Sequence, residues 1–465
     1  MAENLASVEV TEDKRRYWKG EFSWVMRNLL FLPATPTLMN AGTGNGQAYP
    51  ACYVVGMEDS MESISEAIKQ QKPGTKVGFV GAHAMVLPTE TLKASWAIDW
   101  VGRKEFDFTC KEVAEGRDLA TIKGLSFKDS EGKIKHNPER EMIANMDELP
   151  WVADVYKRDL EIEKYFIGYL QHPYVSMYTG RGCPAQCTFC LWPQTIGGHP
   201  YRARSAESVY QEMKRAKELF PQVKEFFFDD DTFNYRKERT LELCAKLKPL
   251  NFTWSCTSRV TTDYDTLKAM KEAGCRLLIV GYESGDPQIL KNIKKGATVE
   301  MAKRFTENCH KLGLLVHADF IIGLPGETRE TIRRTIDFAK SLDNETIQVS
   351  IAHAYPGTEF YDHVVKNNLI TLDSMTDEMG HQLPNIIYPG LDRAELVDSV
   401  ERFYSEYYFR PKVVWRMISK VIFDSHERKR LTKEAKEYMA LRSRRRKFID
   451  EQRRQHAPAS ANAGD

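Results

Sequence analysis

The sequence predicts an α/β protein whose main domain is a partial, TIM-like (βα)6 barrel, preceded by an incomplete Rossmann-like domain. From Tyr174 to Thr358, six short apolar runs alternate with amphipathic helical patterns, and this alternation is typical of a parallel sheet or barrel. The apolar runs are continuous, as expected for parallel strands that are buried on both faces. Because a closed barrel of this type needs eight units, we expect six units to leave the barrel open on one side.

The elements of both domains are expected in a fixed order. The six barrel strands are predicted in YVSMYTG, EFFFDDD, TWSCTSRV, RLLIVGYES, LLVHADFIIGL and TIQVSIAHAYPGT. The helices between them are predicted in AESVYQEMKRAKELF, RKERTLELCAKLKPL, YDTLKAMKEAG, VEMAKRFTENCHKLG and TRETIRRTIDFAKSL. Upstream, MESISEAIKQ is a predicted helix, KVGFVGAHA and AIDWVGRKE are predicted strands, and IKGLSFKDSEGKIKHN is a predicted hairpin.

The chain divides into five predicted segments. Residues 1–71 form a separate N-terminal piece, residues 72–150 the incomplete Rossmann-like domain, and residues 165–385 the barrel. Residues 391–454 form a helical C-terminal extension that is aromatic and then strongly basic, and residues 455–465 form a disordered tail.

Composition and charge narrow the class of protein. A formal net charge of +1 over 465 residues gives no overall attraction to nucleic acid or to a membrane. The chain has no apolar run of about 18 residues, which a membrane span would need, and its first residues lack the apolar core of a signal peptide. Nine cysteines, three of them clustered, are not typical of a secreted disulfide framework. We therefore expect a cytoplasmic protein with no nucleic-acid partner.

The stretch GRGCPAQCTFC holds three cysteines, Cys183, Cys187 and Cys190, and no fourth. A structural zinc site takes four ligands, and the nearest downstream candidate is His199 in a Gly-Gly-His-Pro turn. A cluster of four irons held by three cysteines would instead leave one iron open to an outside ligand. Zinc and a disulfide are the alternatives to such a cluster.

The same spacing, with Phe189 directly before the last cysteine, resembles the cluster motif of the radical S-adenosylmethionine (radical SAM) superfamily. The resemblance implies that the three cysteines hold a [4Fe–4S] cluster and that Phe189 packs near the adenine of S-adenosylmethionine (SAM). It also implies that the open iron chelates the methionine part of SAM. A low-potential donor then supplies an electron that cleaves SAM to a 5′-deoxyadenosyl radical, which abstracts hydrogen from the substrate.

Further polar residues follow the later strands, at the edge where ligands of parallel α/β sheets bind. They are Asp229 to Asp231, Arg259, Glu283 and the GLPGET segment from Gly323 to Thr328. The resemblance implies that Asp230 contacts the SAM amino group, Arg259 its carboxylate and Glu283 the ribose hydroxyls. The structural alternatives are a strand-ending turn, a surface arginine and a helix cap. GLPGET is interpreted as a turn and helix start.

The region from about Lys72 to about Arg430 resembles the cobalamin-associated branch of the superfamily, and most of all its hopanoid-biosynthesis subfamily. That resemblance implies a small-molecule or lipid substrate, namely a hopanoid head group converted to a cyclitol ether. The alternatives are a cobalamin-dependent methyltransferase that acts on another natural product, and a non-functional fusion. No residue is assigned to the chemistry on the substrate.

The front of the chain departs from that branch. FLPATPTLMNAG and ACYVVGMEDSMESI, which includes Cys52, resemble a fragment of the ribonucleotide reductase large subunit. The first half of a cobalamin-binding sheet should stand at this place, and the Asp-x-His-x-x-Gly motif that ligates cobalt is absent. The chain therefore resembles a chimera, which argues against cobalamin binding, and His83 is interpreted as a loop residue.

The C-terminal extension has two interpretations. FYSEYYFRPKVVWRMISKVIF combines aromatic and basic residues, and RKRLTKEAKEYMALRSRRRKF is basic. One interpretation is a helix packed across the barrel, followed by a solvated charged helix. The other is a peripheral contact with an anionic membrane, which would suit a lipid substrate.

Overall fold

The computed structural model describes residues 61–370 and 384–423, together with single positions at 16, 442, 443 and 446. The N-terminal piece up to residue 60 with Cys52, the basic run after residue 423 and the predicted tail lie outside the main described ranges. Within the described residues, no helix is long and apolar enough to cross a membrane.

The front unit begins with the predicted helix, α1 (Met61–Gln71), and contains a four-stranded sheet in the order β1-β2-β3-β4. β1 and β2 pair in parallel, and β2, β3 and β4 pair antiparallel, so the predicted hairpin is confirmed. The strands are β1 (Gly78–Phe79), β2 (Trp100–Gly102), β3 (Leu125–Lys128) and β4 (Ile134–His136). The helices of this unit are α2 (Ala82–Val86), α3 (Pro88–Ala94) and α4 (Asp107–Ala114).

The barrel contains the six predicted strands, all parallel, in the order β12-β11-β10-β9-β8-β5. Because β12 and β5 stand at the two ends of this order, the barrel is open between them. The strands are β5 (Tyr174–Met177), β8 (Glu225–Phe228), β9 (Trp254–Ser258), β10 (Cys275–Glu283), β11 (Leu315–Ile322) and β12 (Thr346–Ile351). Two short strands, β6 (Gly180–Arg181) and β7 (Arg202–Ala203), pair antiparallel next to the barrel.

Helices cover the outside of the barrel, because each crossover between parallel strands returns along that face. Phe226 and Phe228 of β8 pack in the main core with these helices, whereas Phe227 belongs to a separate apolar cluster inside the barrel. Before the barrel lies α5 (Ala153–Asp159). The remaining helices are α6 (Leu191–Thr195), α7 (Ala206–Leu219), α8 (Lys237–Leu247), α9 (Tyr264–Glu272), α10 (Pro287–Asn292), α11 (Val299–Leu312), α12 (Arg329–Leu342), α13 (Glu359–Lys366), α14 (Arg393–Tyr408) and α15 (Pro411–Phe423).

Helix α14 covers the exposed edge of β12. The backbone N–H groups of Ile347 and Val349 donate hydrogen bonds to the hydroxyls of Tyr408 (3.0 Å) and Tyr404 (2.9 Å). Unpaired strand edges favour aggregation with other chains, and these tyrosines provide the partners that a further strand would supply. The first part of the C-terminal extension therefore packs against the barrel, as one of its two interpretations predicts.

Candidate active site

The three cysteines lie in the loop between β6 and α6, at the carboxyl end of the first barrel strand. Cys183 and Cys187 are buried and Cys190 is half-buried. The loop turns at Gly182, whose φ is 88° and where a Cβ atom would stand 2.2 Å from the carbonyl oxygen of Pro200. Since only glycine fits both constraints, this residue fixes the path of the chain into the first cysteine.

Gln194 of α6 holds the loop in shape. Its side-chain amide donates to the carbonyl oxygens of Cys187 (3.2 Å), Thr188 (3.1 Å) and Cys190 (2.8 Å). Its side-chain oxygen accepts a hydrogen bond from the backbone N–H of Glu359 at 2.8 Å. One side chain therefore binds the cysteine loop to the start of α13, and the loop is preorganised around its three sulfur atoms.

The structure brings the cysteines together with two of the predicted site residues. Burial raises the pKa of the Cys187 thiol. The positive charges of Lys295 and Arg259 lower this pKa, and the negative charge of Glu283 raises it. Burial, with Cys187 and Cys183 beside it, raises the pKa of Cys190 to about 12. Metal ligation requires the thiolate form, so these buried thiols need positive charge nearby to ionise.

Glu283 has strained backbone geometry, with a φ of 64° at the end of β10. A left-handed conformation costs a residue other than glycine about 1–2 kcal/mol, and strain of this kind is concentrated at functional sites. The carboxylate of Glu283 forms a buried ion pair with Lys295, whose Nζ lies 2.7 Å from Oε1. Arg259 donates to the carbonyl oxygen of Lys295 at 2.9 Å. Lys295 thereby joins the two predicted residues, although no strand-end pattern in the sequence indicates it.

The three carboxylates that follow β8 point in different directions. Asp230 is buried and accepts hydrogen bonds from the backbone N–H and the hydroxyl of Thr179, both at 2.5 Å. Asp231 accepts from the backbone N–H of Gly182 at 2.7 Å and therefore supports the cysteine loop. Burial raises the pKa of Asp229, and Asp231 raises it further. The hydrogen bonds from Thr179 indicate a structural role for Asp230.

Phe189 and GLPGET lie where the sequence interpretation expects packing. Phe189 is half-buried and packs against the main core. Gly326 has a φ of 89°, and Thr328 caps α12 by accepting a hydrogen bond from the N–H of Thr331. The interpretation of GLPGET as a turn and helix start is therefore confirmed.

A buried network of charges connects the front unit to the cysteine loop. Glu105, three residues after the end of β2, accepts hydrogen bonds from Arg202 (2.7 Å) and from the backbone N–H of Ile143 (2.8 Å). Arg181, next to Gly182, donates two hydrogen bonds to Asp107 at 2.7 and 3.0 Å. The front unit therefore contributes directly to the position of the loop.

Replacing Glu105 with glutamine is expected to loosen the loop, because Arg202 keeps its buried position and loses its counter-charge. We expect a fall of about 1–3 kcal/mol in the free energy of unfolding and faster loss of iron to a chelator. The matched control is Glu139→Gln, since Glu139 pairs with Arg103 at the surface. Equal rates of iron loss in the two variants would contradict a supporting role for the front unit.

The described residues contain no site for a single metal ion. Among the described residues, no three His, Cys, Asp or Glu side chains are grouped so that they could hold one metal ion. A four-iron cluster bonds each cysteine to a different iron, so its sulfur ligands need not converge on one point. His199, the candidate fourth zinc ligand, donates from Nδ1 to the carbonyl oxygen of Cys183 at 3.1 Å.

Asp319 of β11 is an ionisable group on the inner face of the barrel that the sequence interpretation did not include. Burial raises its pKa to about 8, and Glu283 adds to this shift while Lys295 opposes it. Its neighbour in β11, His317, is buried, and burial lowers the pKa of that imidazole to about 4. Both shifts favour the uncharged forms of the pair.

Replacing Asp319 with asparagine is expected to flatten the dependence of stability on pH. The folded pKa is about 8 and an unfolded aspartate has a pKa of about 4, so unfolding between these values releases a proton. Stability is therefore greatest below the lower value and falls as the pH rises through the upper one. Melting temperatures of both proteins at about pH 5 and pH 8 test this. The same decrease in both proteins would contradict the assignment.

Comparison with known proteins agrees with this geometry. Residues 177–339 match the model of the radical SAM superfamily, and residues 1–46 match that of the ribonucleotide reductase all-alpha domain. A Pyrococcus horikoshii protein named as an uncharacterized methyltransferase is 34% identical over 372 residues, which is 78% of each chain. The cytidylyl-2-hydroxyethylphosphonate methyltransferase of Streptomyces wedmorensis is 26% identical over 75% of this chain and 72% of its own.

Two further comparisons are with a solved structure of similar fold and with a more distant relative. The methyltransferase TsrM from Kitasatospora setae, solved with cobalamin and a [4Fe–4S] cluster, has a TM-score of 0.58 and 19% identity over 76% of this chain and 75% of its own. The hopanoid C-2 methylase of Rhodopseudomonas palustris is 25% identical over 46% of this chain and 40% of its own. The chain therefore belongs to the radical SAM superfamily, whose enzymes use a [4Fe–4S] cluster and S-adenosylmethionine.

Proposed function

We propose that this chain is a methyltransferase of the cobalamin-associated branch of the radical SAM superfamily. The observation that carries the proposal is the 34% identity, over 78% of both chains, to a protein named as a methyltransferase. The similarity in fold to TsrM supports the same branch. Enzymes of the superfamily act on small-molecule substrates and require an electron donor, so we expect both for this chain.

We assign roles to the site residues on the basis of their positions. Cys183, Cys187 and Cys190 would hold the cluster, since they are free, lie in one preorganised loop and provide soft thiolate ligands. Their donor set fits an iron–sulfur cluster with one open iron. When bound, the cluster and SAM supply one-electron cleavage of the sulfonium and a methyl group.

The residues around the loop fit the polar parts of SAM. Lys295 and Arg259 place two positive charges beside Cys187, and they would bind the carboxylate of the methionine part. Glu283 would accept from the ribose hydroxyls. Asp231, which borders the cysteine loop, suits the amino group better than Asp230, whose oxygens are held by Thr179. Phe189 would pack near the adenine.

The fit to cobalamin is incomplete. The described part of the front unit contains one parallel strand pair, β1 with β2, next to an antiparallel hairpin. A nucleotide-binding sheet of the Rossmann type needs further parallel strands, and residues 1–46 match a different family. The described residues therefore assign no role to cobalamin. Titration of the purified chain with hydroxocobalamin, followed by gel filtration, tests whether it binds.

Head-group chemistry on a hopanoid, the main sequence interpretation, is not supported. The hopanoid relative is a methylase, and it matches less than half of this chain. The methyltransferase alternative fits the comparisons better. Peripheral membrane contact stays a prediction. The exposed apolar side chains Trp415, Ile418 and Ile422 of α15 support it.

Label transfer tests the proposal. The chain, anaerobically reconstituted with iron and sulfide, is incubated with a strong reductant, trideuteromethyl-SAM and a small-molecule extract, with and without cobalamin. We expect a product that carries the trideuteromethyl group and is absent with Cys187→Ala. Cleavage of SAM to 5′-deoxyadenosine with no label transfer would refute methyl transfer. A chain that takes up no iron would point to the non-functional fusion.

A further inference from the structure

We propose that the inside of the barrel binds an uncharged carboxamide of the substrate, between the side chains of Asp319 on β11 and Gln348 on β12. The inference deepens the proposed function, because it names a chemical class of substrate, and it relies on that function for the assumption that the barrel holds the substrate. It is based on the rows of side chains that neighbouring strands present to the barrel interior.

The inner faces of β10 and β11 border accessible space. Neighbouring residues of a strand point to opposite faces, and along these two strands the outer residues are buried under the helices while inner residues are half-buried. The half-buried residues are Ile279, Gly281, Leu315, Asp319 and Ile321, and the buried ones between them are Leu278, Val280, Val316, Ala318 and Phe320. Asp319 lies deep in the barrel, yet 34% of its side chain is exposed. A small ligand can therefore reach it.

Paired residues of adjacent parallel strands form rows across this inner face. One row consists of Gly281 on β10, Asp319 on β11 and Gln348 on β12. The row nearer the amino ends of the strands contains His317 and Thr346, whose Nδ1 and hydroxyl are 2.7 Å apart. Because side chains return to the same face every second residue, this contact places Asp319 and Gln348 on one face as well. Adjacent strands lie about 4.8 Å apart, so the two side chains stand side by side.

The space below Asp319 is closed by an aromatic and apolar floor. Nε2 of His317 lies 3.4 Å from Oδ1 of Asp319 and forms no hydrogen bond, so the carboxyl keeps this capacity for a ligand. The Tyr169 ring lies against the imidazole, with the centroids 4.1 Å apart. Leu277 and Leu315 pack in the apolar cluster inside the barrel, further toward the amino ends of the strands. A ligand at Asp319 therefore has an apolar surface beneath it.

The Glu283–Lys295 ion pair borders Asp319 on the side of β10. A Cβ atom at Gly281 would lie 2.2 Å from Oε1 of Glu283 and 3.0 Å from Nζ of Lys295, so the pair occupies the space that a side chain at Gly281 would need. Lys295 repels a second cation at this place, and Glu283 repels an anion. An uncharged group meets neither repulsion. Since we propose that the same pair contacts SAM, a substrate group bound at Asp319 would lie next to the cofactor.

The chemistry of the two side chains matches a carboxamide. Burial raises the pKa of Asp319 to about 8, Glu283 raises it further and Lys295 opposes the shift, so the carboxyl is mostly protonated below that value. A protonated carboxyl has one O–H donor and a carbonyl acceptor, which complement the C=O and N–H of an amide. The Gln348 side chain adds two N–H donors and a carbonyl acceptor beside it.

Three probes of the same shape test the inference. They are para-fluorobenzamide, para-fluorobenzoate and para-fluorobenzamidine, which are neutral, anionic and cationic. Their binding to the reconstituted, unreduced protein is measured by fluorine NMR at about pH 6, where Asp319 keeps its proton. We expect the amide to bind at least about tenfold more tightly than either ion, because neither ion has a free counter-charge at this place.

Substitutions at the two residues make the test specific. Asp319→Leu and Gln348→Leu should each weaken binding of the amide by about fivefold, since each removes hydrogen bonds. Asp319→Asn should keep most of the affinity, because an asparagine amide offers a donor and an acceptor as a protonated carboxyl does. The matched control is Gln211→Leu, since Gln211 bonds to Glu207 at the surface.

Three outcomes would each overturn the inference. The first is equal affinity for the three probes. The second is unchanged affinity for the amide in Asp319→Leu and Gln348→Leu. The third is an Asp319→Asn variant that loses as much affinity as Asp319→Leu, which would show that an ionised carboxylate binds the ligand. Selective binding of the amide together with no methyl transfer would contradict the proposed function and leave the amide site standing.

Discussion

Cys187→Ala is expected to abolish SAM cleavage and to lower cluster affinity by about a hundredfold or more, since even the loss of a residue that only hydrogen-bonds to a metal ligand costs about 10- to 100-fold in affinity. The variant removes one of the three proposed sulfur ligands from a loop that Gly182 and Gln194 hold in place. Four other cysteines of the described residues, Cys244, Cys256, Cys275 and Cys309, are buried in the main core and cannot replace it. Iron content after anaerobic reconstitution and the yield of 5′-deoxyadenosine with a strong reductant measure the effect.

Cys110→Ala is the matched control for this variant. Cys110 is a half-buried free thiol in the front unit, and burial raises its pKa as it does that of Cys187. The control should keep its iron and its SAM cleavage. A Cys187→Ala protein that binds iron and cleaves SAM as well as the control would disprove ligation by Cys187.

Glu283→Ala is expected to lower the free energy of unfolding by about 3–5 kcal/mol, since breaking one side of a buried ion pair leaves the other charge uncompensated. Lys295 would remain buried beside Cys187 without its partner. The same variant should weaken SAM binding by at least about tenfold, because we propose that Glu283 accepts charged hydrogen bonds from the ribose hydroxyls. Urea unfolding and equilibrium binding of SAM measure the two effects.

A double variant, Glu283→Gln with Lys295→Met, separates stability from binding. Replacing both members of a buried pair is often nearly neutral, so stability should largely return. Affinity for SAM should not return, because both polar groups are gone. Recovery of SAM binding in the double variant would show that Glu283 and Lys295 support the fold and do not contact the cofactor.

The sequence predicted the barrel because its strands and helices have different hydrophobic periods, and each period depends only on neighbouring residues. It also predicted the position of Arg259 and Glu283 near the cysteines, since all of them follow strands of one parallel sheet. Predicting the positions of these residues required no knowledge of side-chain contacts.

The order of strands along the sequence could not distinguish the roles of Asp229, Asp230 and Asp231. Successive residues at a strand end point to opposite faces, so the middle aspartate reaches Thr179 while Asp229 continues the face that carries Phe227. Three other residues reach the site from separate parts of the fold: Lys295 from a loop, Gln194 from a short helix and Glu105 from the front unit. Their positions depend on tertiary packing, and no local pattern indicates them.

We propose that the cysteine loop holds a [4Fe–4S] cluster whose open iron binds SAM. Electron paramagnetic resonance of the reconstituted and reduced protein, recorded before and after addition of SAM, is the decisive measurement. We expect the signal of a reduced four-iron cluster whose g values change when SAM is added. A signal that SAM leaves unchanged, or a protein that takes up zinc and gives no signal, would contradict it.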